Sequence, residues 1–318
     1  MKNNNCIDYK KLVIIGCGFV GSACAFNLML SGLFNEIVMI DKDIEKAQGE
    51  ALDISHGLAY TKPMKIHAGN YDDVENASII IITAGANQKK DETRLDLASK
   101  NIKIYKNILD EINKRNFNGI LLVVSNPVDI LTTIATKYSK LPENKIIGSG
   151  TLLDTARLKY EIGRLLNIDL KSVHAFIIGE HGDSEIAVFS SANVAGIKLS
   201  DFCKQIGLTN HHQTTKIIEE KVKNSAYEII SKKDATYFGI AVAVKRICEA
   251  IVRDEKSILP LSTMLHGEYG ISGIAISVPV IVGKNGVEGC VPITINEEEQ
   301  QKLNFSAQII KKTLDKFE

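Results

Sequence analysis

Residues 11–28 read KLVIIGCGFVGSACAFNL, and the fold of this stretch settles the architecture around it. Leu12–Ile15 has the length and β-branched content of a buried strand, and Val20–Ser31 reads as a helix. Between them stand glycines at 16, 18 and 21. In a strand–turn–helix unit each glycine has its own task. Gly16 permits the tight turn, Gly18 lets backbone approach a pyrophosphate, and Gly21 lets the helix lie close on the strand. Val20 belongs to the same loop, and the helix start turns unpaired N–H groups towards the phosphates.

A second strand, Ile37–Ile40, ends in Asp41, twenty residues past Gly21. A carboxylate there accepts from adenosine ribose hydroxyls and repels a 2′-phosphate, which favours NAD over NADP, although Lys42 is adjacent. A glycine triplet alone would mark only a turn. Strand, turn, helix and acid-tipped strand together mark a dinucleotide site.

Beyond this unit, further strands are expected at Met64–His67, Ile79–Thr83, Ile120–Val124 and Lys145–Ile147, with helices at Arg94–Arg115 and Val128–Tyr138. From about Gly148 the rhythm changes. Helices are expected at Leu152–Leu166, Thr214–Ile230 and Tyr237–Val252, and strands near His174–Ile178, Ile186–Phe189, Ser257–Met264, Gly273–Val282 and Gly289–Ile295. A last amphipathic helix carries Leu303, Ala307, Ile310, Leu314 and Phe317. The fold class is α/β: a doubly wound parallel Rossmann sheet with a second, mixed α+β domain. The expected division is an NAD-binding domain at 8–148 and a catalytic domain at 149–318.

Bulk composition narrows the function. Lys plus Arg equals Asp plus Glu, 38 each, which argues against a general nucleic-acid surface. No apolar run approaches the ~20 residues of a membrane span, and the first residues lack a signal-peptide core. Six cysteines show no CxxC and no zinc-like spacing, so no metal is expected and the thiols read as reduced, in a cytoplasmic protein.

The segment IIGEHGDSE sets His181 on a turn, free to project into a cleft. Histidine titrates in the range useful for protonating a nascent alkoxide. Four segments, IGCGFVGSACAFNL, ANQKKDETRLDLASKN, SNPVDILT and GSGTLLDTARLKYEIG with IIGEHGD, together resemble the lactate/malate dehydrogenase family over nearly the whole chain. The resemblance implies hydride transfer between NAD and a 2-hydroxy acid, with His181 as proton donor and acceptor. It makes Asp154 the carboxylate that holds the imidazole and Arg157 the guanidinium that grips the substrate carboxylate. Arg157 suits that task because its planar fork makes two parallel bonds. Arg94 becomes the arginine of a closing loop that polarises the keto oxygen, and Asn126 a residue that positions cofactor and substrate.

The same resemblance puts Gln88 and Thr236 in the substrate pocket, with Ile240 against the nicotinamide. An arginine at 88 would pair with the second carboxylate of oxaloacetate; a neutral glutamine leaves that charge uncompensated. Pyruvate and L-lactate are therefore the expected pair. A bulkier 2-keto acid, such as 2-ketoisocaproate, and then malate are the alternatives. Lys90-Asp91 and Asp234 depart from the Pro-Gly and Gly usual in the family. Lys159 and His174 match an interface site for fructose 1,6-bisphosphate, blunted because lysine stands where arginine is common. A homotetramer is likewise implied. A non-catalytic nucleotide sensor would be expected to have lost a reacting group, and none is lost; a crystallin-like structural protein would keep the fold but need no mobile arginine loop.

Overall fold

The apolar runs of the first half pair as parallel strands in a computed structural model that describes residues 11–86, 94–208 and 210–317, without the side chains of Arg94, His211 and His212. Strands β1 (Lys11–Ile15), β2 (Glu36–Ile40), β3 (Lys65–Ala68), β4 (Ile79–Ile82), β5 (Ile120–Val123) and β6 (Ile146–Gly148) lie in the order β6-β5-β4-β1-β2-β3. Helices α1 (Phe19–Ser31), α2 (Ile44–His56), α3 (Arg94–Asn113) and α4 (Val128–Tyr138) alternate with them. The central strands β4 and β5 are buried at every residue, as a sheet covered on both faces requires. Strand order reverses between β1 and β4, so the crevice above their C-terminal ends is the place for a ligand.

Helix α2 is one that the sequence reading leaves out. Only Ala47, Ala51 and Ile54 are buried on it, too thin a stripe to stand out by periodicity. Its start is fixed by Asp43, whose carboxylate accepts from the Lys46 N–H at 3.1 Å.

The second half supplies α5 (Leu152–Leu166), β7 (Val173–His174), β8 (Ile177–Ile178), β9 (Ile186–Ala187), β10 (Asn193–Val194), β11 (Ile197–Lys198), α6 (Leu199–Gln205), α7 (His211–Lys233), α8 (Phe238–Val252), β12 (Ser257–His266), β13 (Ser272–Gly283), β14 (Gly286–Cys290) and α9 (Glu297–Leu314). The single strand expected near His174–Ile178 is two. β7 joins the three-stranded sheet β11-β10-β7, whereas β8 pairs with β9. The strand expected at Gly289–Ile295 instead ends at Cys290. A two-residue turn between Gly283 and Gly286 sets the hairpin register, and the Ile293 N–H leaves the ladder to donate to the Tyr269 hydroxyl at 2.9 Å.

These strands do not form a sheet wholly apart from the first. β12 runs antiparallel to β6 through the pair Ser262–Gly148, and β13 and β14 follow, so one nine-stranded sheet runs across both halves. A smaller core gathers Leu158 and Ile162 of α5, Val173, Val194, and Ile218 and Val222 of α7. Cysteines 17, 24, 203, 248 and 290 are free thiols, the first four buried. Among the described residues no helix is long and apolar enough to cross a membrane.

Candidate active site

The cofactor loop obeys the steric logic of its glycines. Gly16 has φ +106°, and a Cβ on it would lie 2.5 Å from the Ala84 nitrogen, at the end of the neighbouring strand. A Cβ on Gly21 would lie 1.9 Å from the Gly16 carbonyl oxygen, so even alanine would push α1 off the sheet. Gly18 faces open space: apart from its chain neighbours, no described residue has an atom within 4 Å of where its Cβ would be. Helix α1 starts there with no side-chain cap and no acid in its first turn, which leaves its N–H groups and dipole for an anion. Val20 is half-buried beside them. Asp41 shapes the loop from the second strand: its carboxylate accepts from the Cys17 N–H at 2.6 Å and the Asp43 N–H at 3.0 Å. An open backbone cradle, an uncapped helix start and a half-exposed carboxylate fit a dinucleotide.

The proton-handling group is built where three elements meet. Asp154 and Arg157 lie one turn apart on α5, on a face beside Leu158, which enters the core. The Thr155 hydroxyl accepts from the Ile177 N–H at 2.8 Å, and the Thr151 hydroxyl donates to the Ile177 carbonyl at 2.5 Å. This double tie fixes β8 against α5 only four residues before His181. A bridge between Gly179 and Ser277 fixes the same segment to β13.

His181 Nδ1 lies 2.6 Å from Asp154 Oδ2, and Arg157 donates to Asp154 Oδ1 at 2.8 Å. A carboxylate in this state only accepts, so Nδ1 carries the proton and Nε2 is left for a substrate. The Asp154 side chain is 2% exposed, that of Arg157 14% and that of His181 25%. Burial opposes charge on the imidazole, but Asp154 outweighs it, helped by Glu185 and Asp129, and lifts His181 to about 9. Burial likewise opposes charge on Asp154, yet His181 and Arg157 hold its carboxyl below the ordinary aspartate value. The remaining guanidinium N–H groups of Arg157 donate to no described residue, which leaves them for a carboxylate.

Sequence reasoning missed three supporting residues. Asp129, buried on α4, accepts from the His181 N–H at 2.8 Å, the Ser262 hydroxyl at 2.6 Å and the Ser277 hydroxyl at 3.3 Å. The available signal was an acid inside the stretch VDILTTIA, which has no other charge, a residue type rarely buried without a purpose. Asn101 of α3, also buried, accepts from the Ala86 N–H at 2.8 Å and donates to the Asn126 carbonyl at 2.7 Å. Glu185, four residues after His181, is buried beside the pair.

The other expected residues are placed as follows. Asn126 is exposed in the turn between β5 and α4. Thr236 and Ile240 are half-buried near the start of α8, where Tyr237 stacks on Phe19 of the cofactor loop with ring centroids 5.4 Å apart. Asp234, at the end of α7, takes φ +65°, the left-handed conformation that explains why glycine suits this position; the side chain costs about 1 kcal/mol there. Lys159 is half-buried on α5 and His174 exposed on neighbouring β7, and burial holds the Lys159 ammonium below the ordinary lysine value. Gln88, Lys90 and Asp91 lie outside the described residues; of Arg94 only its place as first residue of α3 is described.

Comparison with known proteins agrees with this geometry. Residues 10–148 match the family model described as lactate/malate dehydrogenase, NAD binding domain, and residues 151–318 the one described as lactate/malate dehydrogenase, alpha/beta C-terminal domain. The chain belongs to the lactate/malate dehydrogenase family. Within the family it is 51% identical to an L-lactate dehydrogenase of Acetivibrio thermocellus, over 99% of this chain and 100% of that one. It is 50% identical to L-lactate dehydrogenase 1 of Clostridium acetobutylicum, over 96% and 97% respectively. Among solved structures, a lactate dehydrogenase enzyme from a Medee basin deep-sea metagenome library superposes with a TM-score of 0.93 at 45% identity, covering 96% of this chain and 98% of that one. The minor L-lactate dehydrogenase of Enterococcus mundtii, in a ligands-bound form, gives 0.94 at 41% identity, covering 97% and 98%. NAD is the cofactor of this family member, held by the domain that carries Gly16, Gly18, Gly21 and Asp41.

Proposed function

We infer that this chain is an NAD-dependent 2-hydroxy acid dehydrogenase that interconverts pyruvate and L-lactate. One observation carries the reading: a single buried carboxylate, Asp154, holds both a proton-donating imidazole and a guanidinium whose other N–H groups donate to no described residue. Arg157 binds the carboxylate of pyruvate through those remaining groups. His181 Nε2–H donates to the keto oxygen, and Arg94 polarises it. Bound NADH supplies the hydride. As negative charge grows on the oxygen, His181 gives up its proton to it, while Asp154 keeps the ring in place; lactate oxidation runs the same steps backwards. Residues 8–148 hold the cofactor and carry Arg94, and 149–318 carry Asp154, Arg157 and His181.

Pyruvate, 2-ketobutyrate, 2-ketoisocaproate and oxaloacetate assayed side by side with NADH test the reading. Pyruvate is expected to have the highest kcat/KM, and a preference for another acid overturns it. Gln88 sets the preference through charge. Gln88→Arg is expected to move the oxaloacetate-to-pyruvate ratio of kcat/KM up by about ten-fold or more, since a charge-assisted hydrogen bond contributes about 1.5–3 kcal/mol. An unmoved ratio removes Gln88 from the pocket.

The chain works in the cytoplasm as a homotetramer. The exposed Phe26 and Leu30 of α1, Leu52 of α2 and Val242 of α8 supply the apolar surface an assembly needs, and light scattering reads the copy number. Lys159 and His174 form a weak site for fructose 1,6-bisphosphate. At limiting pyruvate, activation is expected only at millimolar bisphosphate, because lysine lacks the guanidinium fork. Saturation at micromolar levels refutes the blunting.

A further inference from the structure

Glu185 has no part in the steps above, yet it lies against the groups that perform them. One atom each of Asp154, His181 and Glu185 fall within 4.8 Å of one another, and Glu185 is only 6% exposed. The three carboxyl groups of this centre are supported very differently. Asp154 accepts from His181 and Arg157, and Asp129 accepts from the His181 backbone and two serines. The Glu185 carboxyl accepts from no described residue. A buried negative charge without donors is the costliest form of a carboxyl, so the protonated form is favoured.

We propose that Glu185 is a second proton store of the active site: sealed beside Asp154 and His181, it keeps its proton at neutral pH, and its ionisation on the alkaline side holds the imidazole protonated further into that range. The role is that of a positioning residue acting through His181, and it rests on His181 being the proton donor. Charged groups face Glu185 from each neighbouring element: Asp154 and Arg157 from α5, His181 from its own loop and Lys223 from α7, while Asp129 of α4 faces His181. Burial first and Asp154 second push Glu185 up to about 8, against the pull of His181, Arg157 and Lys223.

At neutral pH Asp154 is negative, His181 and Arg157 are positive and Glu185 is neutral, which leaves one positive charge to meet the single carboxylate of the substrate. As pH passes about 8 Glu185 ionises and the sum falls to zero. Once His181 also loses its proton, above the ordinary imidazole range, pyruvate reduction loses its acid. The two ionisations belong to one coupled titration.

The test is a 13C NMR titration of the His181 ring in the full chain free of cofactor, for the wild type and Glu185→Gln. The wild-type curve is expected to spread over two steps. In Glu185→Gln a single step is expected, displaced to lower pH by about one unit, as for a unit charge removed at this range. The alkaline limb of kcat/KM for pyruvate should move in the same direction. An unmoved His181 titration overturns the proposal. So does a Glu185 carboxyl carbon that titrates in the ordinary glutamate range in the wild type, a measurement that needs no variant to fold. If neither protein oxidises NADH with pyruvate, the reaction assigned above fails, while the cofactor-free titrations still decide the role of Glu185.

Discussion

Asp154→Asn is expected to lower kcat/KM for pyruvate by about 10²–10⁴-fold, the range that general acid catalysis supplies. The substitution keeps shape and removes charge. The imidazole would lose the neighbour that lifts it to about 9, and burial, which opposes the charge, would then dominate. At neutral pH most of the enzyme would lack its acid. An amide can also turn its NH2 towards Nδ1, which favours the wrong tautomer and puts a hydrogen on Nδ1 out of reach. NADH binding, measured by fluorescence, should persist, because the glycine loop lies on different elements. A loss of less than ten-fold would show that Asp154 is no more than the i,i+3 partner of Arg157.

Arg157→Gln should raise the pyruvate KM by about 100-fold or more, since truncating one partner of a buried, hydrogen-bonded charge pair costs about 2–5 kcal/mol. Two losses combine. The substrate carboxylate loses its fork, and Asp154 loses a donor at 2.8 Å. Arg157→Lys separates them: it restores the charge but not the parallel pair of bonds, so about ten-fold of the defect should remain. The lysine variant matching the wild type in KM would sink the assignment of the substrate carboxylate to this residue. A thermal melt of each variant guards against reading a folding defect as a binding one.

Much of this centre was legible before folding, and the reasons are local. Asp154 and Arg157 are three residues apart, which on any helix puts them on one face. Gly16, Gly18 and Gly21 read as a set because their spacing spans one turn and one helix start. His181 stood out by its glycine neighbours. Asp129 did not, because its partners Ser262 and Ser277 lie 133 and 148 residues away. Glu185 reads as one more acid of a surface turn until burial and Asp154 reveal what it faces. Asn101 sits among the polar residues of an amphipathic helix, and only the approach of Ala86 and Asn126 gives it work.

Local residue patterns were enough for the parallel half, its cofactor loop and the i,i+3 pair on α5, because periodicity, glycine spacing and helix geometry act over a few residues. Only the folded chain shows that β12 continues the sheet from β6, that Asp129 carries the backbone of His181, and that Glu185 is sealed in with no donor among the described residues. Pairing and burial between distant segments depend on how the chain closes on itself, and no local pattern of residues encodes that closure.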